Sequence, residues 1–328
     1  MIKISLYRFF IAVTLCFTLG LASIQDQERK SNQSAYTLYA DYTLKNDLYY
    51  QKDIAVYHIC KPGKTIENSD VITIWVHGYA DTHRQTYKYI KEYRIKKRKI
   101  RTNLNYIISS DCVVTFDFAD SGKIELVFKH KDTSMAQDNE IHRLNEVITH
   151  VKELINSTAD MIVLAGMSRG ASTIITTMAQ HDHPEVKALI LESPFGSIED
   201  VISKTLASMI FGRYNKNGIR PIDVVGKLPK DLAILIVASH EDQRVPVEST
   251  ISLYDRLKGS DHNHTHLQLL DHGKHSKLLA SDDGSRYQNV MHAFNKFYNL
   301  PHDSVLAEKG AADFLNSQST EKELRNSI

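Results

Sequence analysis

The sequence predicts an α/β chain: a mostly parallel sheet covered by helices on both faces. Three observations predict it. Runs of strand length, rich in apolar and β-branched residues, alternate along the chain with segments whose apolar residues recur at helical spacing. Runs such as VITIWVHG (71–78) and LAILIVAS (232–239) are apolar almost throughout, as strands buried on both faces are. No internal repeat interrupts the alternation.

The elements follow in order. AYTLYADYTL (35–44) and IAVYHIC (54–60) read as strands, broken at Pro62-Gly63, and VITIWVHG is a buried strand ending in a glycine. Residues 79–105 read as helical and unusually basic, and CVVTFDF (112–118) is the next strand. DNEIHRLNEVITHVKELIN (138–156) carries apolar residues at 141, 144, 147, 148, 151, 154 and 155, one face of a helix. Strand MIVLAG (161–166) leads to helix 169–181, strand VKALILESP (186–194) to a helix over 199–212, and LAILIVAS to a helix over 246–259. Strand HLQLLDHG (266–273) and helix 286–300 complete an eight-stranded alternation. From about Asp303 the chain is polar and reads as a surface helix or a disordered tail (303–328).

The 328 residues suit one large domain or two small ones, and a net charge of +1 provides no global field for nucleic acid. The first 22 residues read as a secretory signal: Lys3 and Arg8 precede an apolar core from Phe9 to Leu21, with small residues Gly20 and Ala22 before a cleavage site. That core is shorter than the ~20 apolar residues of a membrane-spanning helix, so a cleaved signal is expected, with an uncleaved anchor as the alternative. The chain is therefore expected to be exported, periplasmic or secreted. Cys60 and Cys112 remain after cleavage, as a disulfide or as two buried thiols, and no Cys/His spacing suggests a metal.

The chemistry concentrates in four short stretches. LAGMSRGAST (164–173) places Ser168 between Gly166 and Gly170, after a strand and before a helix. A sharp turn there exposes a nucleophile, and the N–H of Arg169 at the helix start faces a developing oxyanion. The bland alternative is a tight turn with a solvated serine. A serine needs a histidine base, and LLDHGKHSKLL (269–279) supplies His275, with His272 as the fallback. The base needs a carboxylate: HEDQRVP (240–246) offers Asp242, with Glu241 its neighbour and Glu192 a more distant alternative. WVHGYAD (75–81) ends its strand at His77-Gly78, so that the N–H of Tyr79 can be the second oxyanion donor.

With these stretches in the order Ser, Asp, His, the chain resembles the α/β-hydrolase superfamily from about residue 36 to 300. The D-x-x-V-P acid loop is most similar to the prolyl-oligopeptidase and dienelactone-hydrolase branches. That resemblance implies a catalytic triad of Ser168, Asp242 and His275, oxyanion amides at Tyr79 and Arg169, and no cofactor or metal. It implies a small cap at about 195–230, where Ile202, Leu206, Met209 and Ile210 form an apolar stripe. It also implies antiparallel second and fourth strands, which would set Cys60 and Cys112 side by side as a disulfide. Two features depart from the pattern: FDFADSG (116–122) replaces an Arg-Gly loop, and Gly170-Ala171 replaces Gly-Gly. The chain as given also carries no propeller-sized domain, and together these favour a carboxylic ester over a peptide as substrate.

The alternatives are a small-peptide peptidase or amidase of the same fold, and a non-catalytic hydrolase fold used for binding. Lys88–Arg101, with eight basic residues against one acidic, is a solvated helix face or a peripheral contact with an anionic surface.

Overall fold

The computed structural model describes residues 37–44, 54–61, 63–79, 81–89, 108–118, 138–155, 161–202 and 218–316. Eight strands form one sheet in the order β1-β2-β4-β3-β5-β6-β7-β8. They are β1 (Thr37–Leu44), β2 (Ile54–Cys60), β3 (Ile72–Val76), β4 (Cys112–Phe116), β5 (Ile162–Met167), β6 (Val186–Glu192), β7 (Ala233–Ser239) and β8 (Thr265–Leu270). β1 and β2 pair antiparallel, as do β2 and β4; every pairing from β4 onward is parallel. The register sets Cys60 opposite Cys112, and the two are joined by a disulfide with Cα atoms 4.1 Å apart, as the resemblance implies.

The helices are α1 (Asp138–Leu154), α2 (Arg169–Gln180), α3 (Ile198–Ile202), α4 (Pro221–Val224), α5 (Val247–Lys258), α6 (Gly284–Phe297) and α7 (Ser304–Asn316). Strand side chains alternate between two buried clusters. On one face Ile72, Ile74 and Val76 of β3, Leu164 of β5 and Ile236 of β7 pack with Leu144 and Ile148 of α1, Ile174 of α2 and Leu257 of α5. On the other, Trp75, Val163, Met167 and Leu235 pack with Tyr287, Val290 and Phe294 of α6 and Phe314 of α7. Both faces of the central strands are thus dry, which explains their nearly unbroken apolar runs.

One sequence reading changes here, and for residues 304–316 the helical alternative is the one seen. The helix expected over 79–105 is, in its described part, a 3-10 turn at His83–Lys88; the rest of it, with most of the Lys88–Arg101 run, lies outside the described residues. Of the polar tail, Ser304–Asn316 is a helix docked on α6, its Gly310 so close to the Asn289 carbonyl that a methyl would overlap it. The segments 1–22, 203–217 and 317–328 lie outside the described residues, and with them the signal segment, Leu206, Met209 and Ile210.

Between β3 and β4 the chain adds a strand on one side of the sheet, and from β4 it crosses through α1 to add β5 on the other. The chain therefore leaves the carboxyl ends of β3 and β5 in opposite directions, the topological switch point at which open α/β sheets bind ligands.

Candidate active site

Ser168 stands at the end of β5, immediately before α2. Its backbone has φ 53° and ψ −120°, a conformation that costs a non-glycine residue about 1–3 kcal/mol. Backbone bonds on both sides hold it there: Ser168 N–H donates to Glu192 O at 2.7 Å, and Ser172 N–H donates to Ser168 O at 3.0 Å. Gly170 permits the turn, since a methyl at that position would overlap the carbonyl groups of Val76 and His77. Helix α2 thus begins hard against the end of β3, with the unsatisfied N–H groups of its first turn beside the serine.

The β3 loop passes over the same point. A Cβ built on Gly78 would stand 3.7 Å from Ser168 Cβ and 2.6 Å from the terminal methyl of Met167, which would have to move aside. Gly78 N–H donates to Gln85 Oε1 at 3.1 Å, and the Gln85 amide donates to Asp81 at 2.6 Å. Tyr79 follows Gly78, and Arg169 follows Ser168, so the two expected amide donors belong to backbones that meet at the serine.

Asp242 lies in the loop after β7 and His275 in the loop after β8. His275 Nδ1 and Asp242 Oδ2 are 2.8 Å apart, with the carboxylate 1% and the imidazole 11% exposed. Asp242 Oδ1 accepts the N–H groups of Arg244 and Val245 at 2.9 and 3.0 Å. Burial works to raise this carboxyl, but the bond and charge of His275 and the two amides outweigh it and hold it below the usual carboxylate range. Among the described residues no hydrogen bond joins Ser168 Oγ to His275, a bond that in hydrolases without bound substrate is often long.

The fallback residues pair with each other instead. His272 Nδ1 meets Glu241 Oε1 at 3.3 Å, with both side chains about half exposed, and Glu241 Oε2 accepts Gly273 N–H at 2.9 Å. Glu192, the distant alternative, is buried at the end of β6 between two phenols: Tyr89 donates at 3.3 Å and Tyr287 at 3.1 Å. Burial pushes its carboxyl up to about 7 despite both hydroxyls, with the Asp242 charge adding to the rise. Its backbone supports the serine, while its side chain joins the 3-10 turn to α6.

Phe195, Ile198 and Val245 form a separate buried apolar cluster, with Tyr79 and Val201 against it. It joins the loops after β3, β6 and β7. Sequence reasoning missed the pair beneath the site: Arg169 Nη2 meets Glu140 Oε1 at 2.7 Å, both nearly fully buried. Glu140 opens a helix whose other polar residues read as solvent-facing, and no local pattern marks one of them as turned inward. Among the described residues no three His, Cys, Asp or Glu side chains group as metal ligands.

Solved structures share this architecture. An acylaminoacyl peptidase in complex with Z-Gly-Gly-Phe-chloromethyl ketone superposes with a TM-score of 0.56 at 16% identity, over 82% of this chain and 42% of that one. An esterase of Pyrococcus furiosus gives 0.55 at 16%, over 80% of this chain and 91% of that one. The acylaminoacyl peptidase of Pyrococcus horikoshii gives 0.55 at 14%, over 84% and 43%. The chain thus spans about two-fifths of the length of these peptidases and nearly matches the esterase in extent. At such identities the likeness shows the fold, that of the α/β-hydrolases. No curated protein matches the chain. The family model described as "Prolyl oligopeptidase family" matches residues 112–299, more than half of the chain and the whole run from β4 through Ser168, Asp242 and His275 to the end of α6. The chain belongs to the prolyl oligopeptidase family of serine hydrolases.

Proposed function

We propose that the protein is an exported serine esterase that cleaves a small carboxylic ester by acyl transfer to water. In this reading Ser168 attacks the carbonyl, His275 takes its proton and later returns it to the leaving alkoxide, and Asp242 fixes the imidazole tautomer and stabilises the imidazolium. The amides of Tyr79 and Arg169 hold the oxyanion. The observation that carries it is the buried 2.8 Å Asp242–His275 bond, on loops that follow β7 and β8 of the sheet whose β5 ends in the strained Ser168.

An ester is favoured over an amide because an alkoxide leaves more readily than an amine. The family supports the second reading, a peptidase acting on short peptides. The Cys60–Cys112 disulfide supports export to an oxidising compartment, and among the described residues no helix is long and apolar enough to cross a membrane.

A fluorophosphonate probe tests the reading, applied to the wild-type protein and to Ser168→Ala beside an ester series and a peptide nitroanilide series. Labelling and ester turnover by wild type alone are expected, with the loss in Ser168→Ala on the order of 10⁶. Peptide turnover exceeding ester turnover would move the assignment to the peptidase. Folded wild-type protein that neither labels nor turns over would leave a binding protein built on a hydrolase fold.

A further inference from the structure

The two expected oxyanion amides are connected underneath by side chains that the proposed mechanism does not use. Arg169, whose backbone starts α2, sends its guanidinium inward to Glu140. On the way its Cζ lies 4.4 Å from the centre of the Phe118 ring and 5.7 Å from that of Tyr79, within reach of cation–π attraction. Phe118 in turn meets His77 edge-on, with ring centres 4.9 Å apart, and its N–H lies 3.2 Å from His77 Nε2. His77 Nδ1 lies 2.7 Å from Gly78 O. The contacts therefore run without a break from Glu140 through Arg169, Phe118 and His77 to the peptide bond that carries the Tyr79 N–H.

This arrangement fixes the state of His77. The Phe118 N–H can only donate, so Nε2 must be the acceptor, and the ring proton sits on Nδ1 and donates to Gly78 O. Burial, reinforced by the Arg169 charge, pushes the imidazole down to about 4, so the ring is neutral at physiological pH and keeps this tautomer. There are no cis peptide bonds among the described residues, and in a trans peptide the C=O and the following N–H point in opposite directions. Drawing Gly78 O onto His77 therefore turns the Tyr79 N–H away from the ring. The loop making this turn is the one that Gly78 brings against Ser168.

We propose that His77 and the Arg169 side chain, linked through Phe118, act as one positioning unit that aims the Tyr79 amide at the oxyanion. This rests on the serine-hydrolase reading above and adds to it how the loop donor is oriented. His77 and the guanidinium touch no reacting atom; they act through the Gly78–Tyr79 peptide. Hydrogen bonding to the oxyanion strengthens in the transition state, so the unit should govern kcat rather than substrate binding.

The test compares wild type, Ser168→Ala, His77→Leu, His77→Asn, Arg169→Met and the His77→Leu/Arg169→Met double variant. For each it measures ester kinetics, thermal unfolding and inhibition by a trifluoromethyl ketone, whose adduct carries the oxyanion. His77→Leu is expected to lower kcat by about 10²-fold with KM changed less than about threefold, the size of a lost oxyanion donor. The inhibitor should weaken in step. His77→Asn, whose side-chain amide can reach Gly78 O, should recover to within about tenfold of wild type, a rescue that a purely structural role would not give. The double variant should be no worse than its weaker single parent, because coupled residues do not add.

Should His77→Leu fail to fold, His77→Gln, whose longer amide reaches towards Phe118 and overshoots Gly78, replaces it against His77→Asn. Unchanged kcat in folded His77→Leu, or His77→Asn as impaired as His77→Leu, overturns the proposal while an inactive Ser168→Ala keeps the hydrolase reading standing. Independent, multiplying losses in the double variant overturn the claim of one unit. Turnover by Ser168→Ala overturns the hydrolase reading and the proposal with it.

Discussion

Two acid–histidine pairs lie side by side at the carboxyl end of the sheet, and they differ in almost everything but composition. Asp242–His275 is a 2.8 Å pair with its carboxylate 1% exposed; Glu241–His272, one residue away on the acid side, is a 3.3 Å pair with that side chain 48% exposed. The difference begins in the backbone of the acid loop. Asp242 turns inward because its Oδ1 accepts the Arg244 and Val245 amides, and Val245 is anchored in the apolar cluster with Phe195 and Ile198. Glu241 then faces outward and accepts the Gly273 amide, tying the acid loop to the histidine loop. The inner pair is dry enough to orient an imidazole, and the outer pair acts as a brace in water. Adjacent residues of the same chemistry thus meet different environments according to which way the loop points them.

The largest effects should fall on the inner pair. His275→Ala is expected to remove ester turnover by about 10⁶, and Asp242→Asn by about 10⁴ through loss of the correct tautomer, both read from kcat on a nitrophenyl ester. Losses of that size from His272→Ala instead would reverse the assignment. The Asp242 carboxyl is held low in the folded state. The stability it contributes is therefore present above the unfolded carboxylate value and disappears as pH falls through the depressed folded one. Acid unfolding of Asp242→Asn should accordingly start from a lower stability and be less steep than that of wild type.

Glu192 sharpens the contrast, being a carboxyl as buried as Asp242 but bonded to two phenols in place of a histidine and two amides. Its folded value is raised from 4.5 to about 7, so the folded protein holds a proton that the unfolded chain has released over that interval. Stability is then full below the unfolded value and lost as pH rises through about 7, the opposite slope to that of Asp242. Glu192→Gln keeps a hydrogen-bonding group between Tyr89 and Tyr287 and does not titrate. Denaturant unfolding at pH 5 and pH 8 should show wild type losing on the order of 3 kcal/mol that Glu192→Gln retains. Equal slopes in the two proteins would mean that the carboxyl ionises without cost.

The fold was legible wherever burial repeats along the chain. Strands buried on both faces read as unbroken apolar runs, and the glycine at 170 marks where two backbones must nearly touch. Candidate residues at strand ends were legible for the same reason, because a motif between a strand and a helix has a defined place in the sheet. Partners that meet only in space were not. Nothing local in DNEIHRL says that Glu140 turns inward to Arg169, since a charged residue on an amphipathic helix usually faces water. Nor does sequence divide Glu241 from Asp242 except through the pattern that carries Val245, and the binding of Glu192 to tyrosines 103 and 95 residues away has no local trace. Residues 79–105 read as helical and basic, whereas their described part tightens into a 3-10 turn at His83–Lys88, capped by Thr82.

The smallest effect belongs to the outer pair. The Glu241 bonds to His272 and Gly273 hold Glu241 low and raise His272, yet both side chains stand in water, where such a pair contributes little. Glu241→Gln retains an acceptor for the Gly273 amide and loses only the charge, while His272→Ala loses the partner. Each should leave kcat within about threefold of wild type, and ~0.5 M salt should erase even that difference by screening the pair. Glu241→Ala removes the Gly273 acceptor as well, so it separates brace from charge: a larger, salt-independent loss there, with Glu241→Gln unaffected, would show that the outer carboxylate serves the site through the amide it holds. If all three variants matched wild type at every salt concentration, the bond between the loops would be dispensable, and the inward turn of Asp242 alone would hold His275 in place.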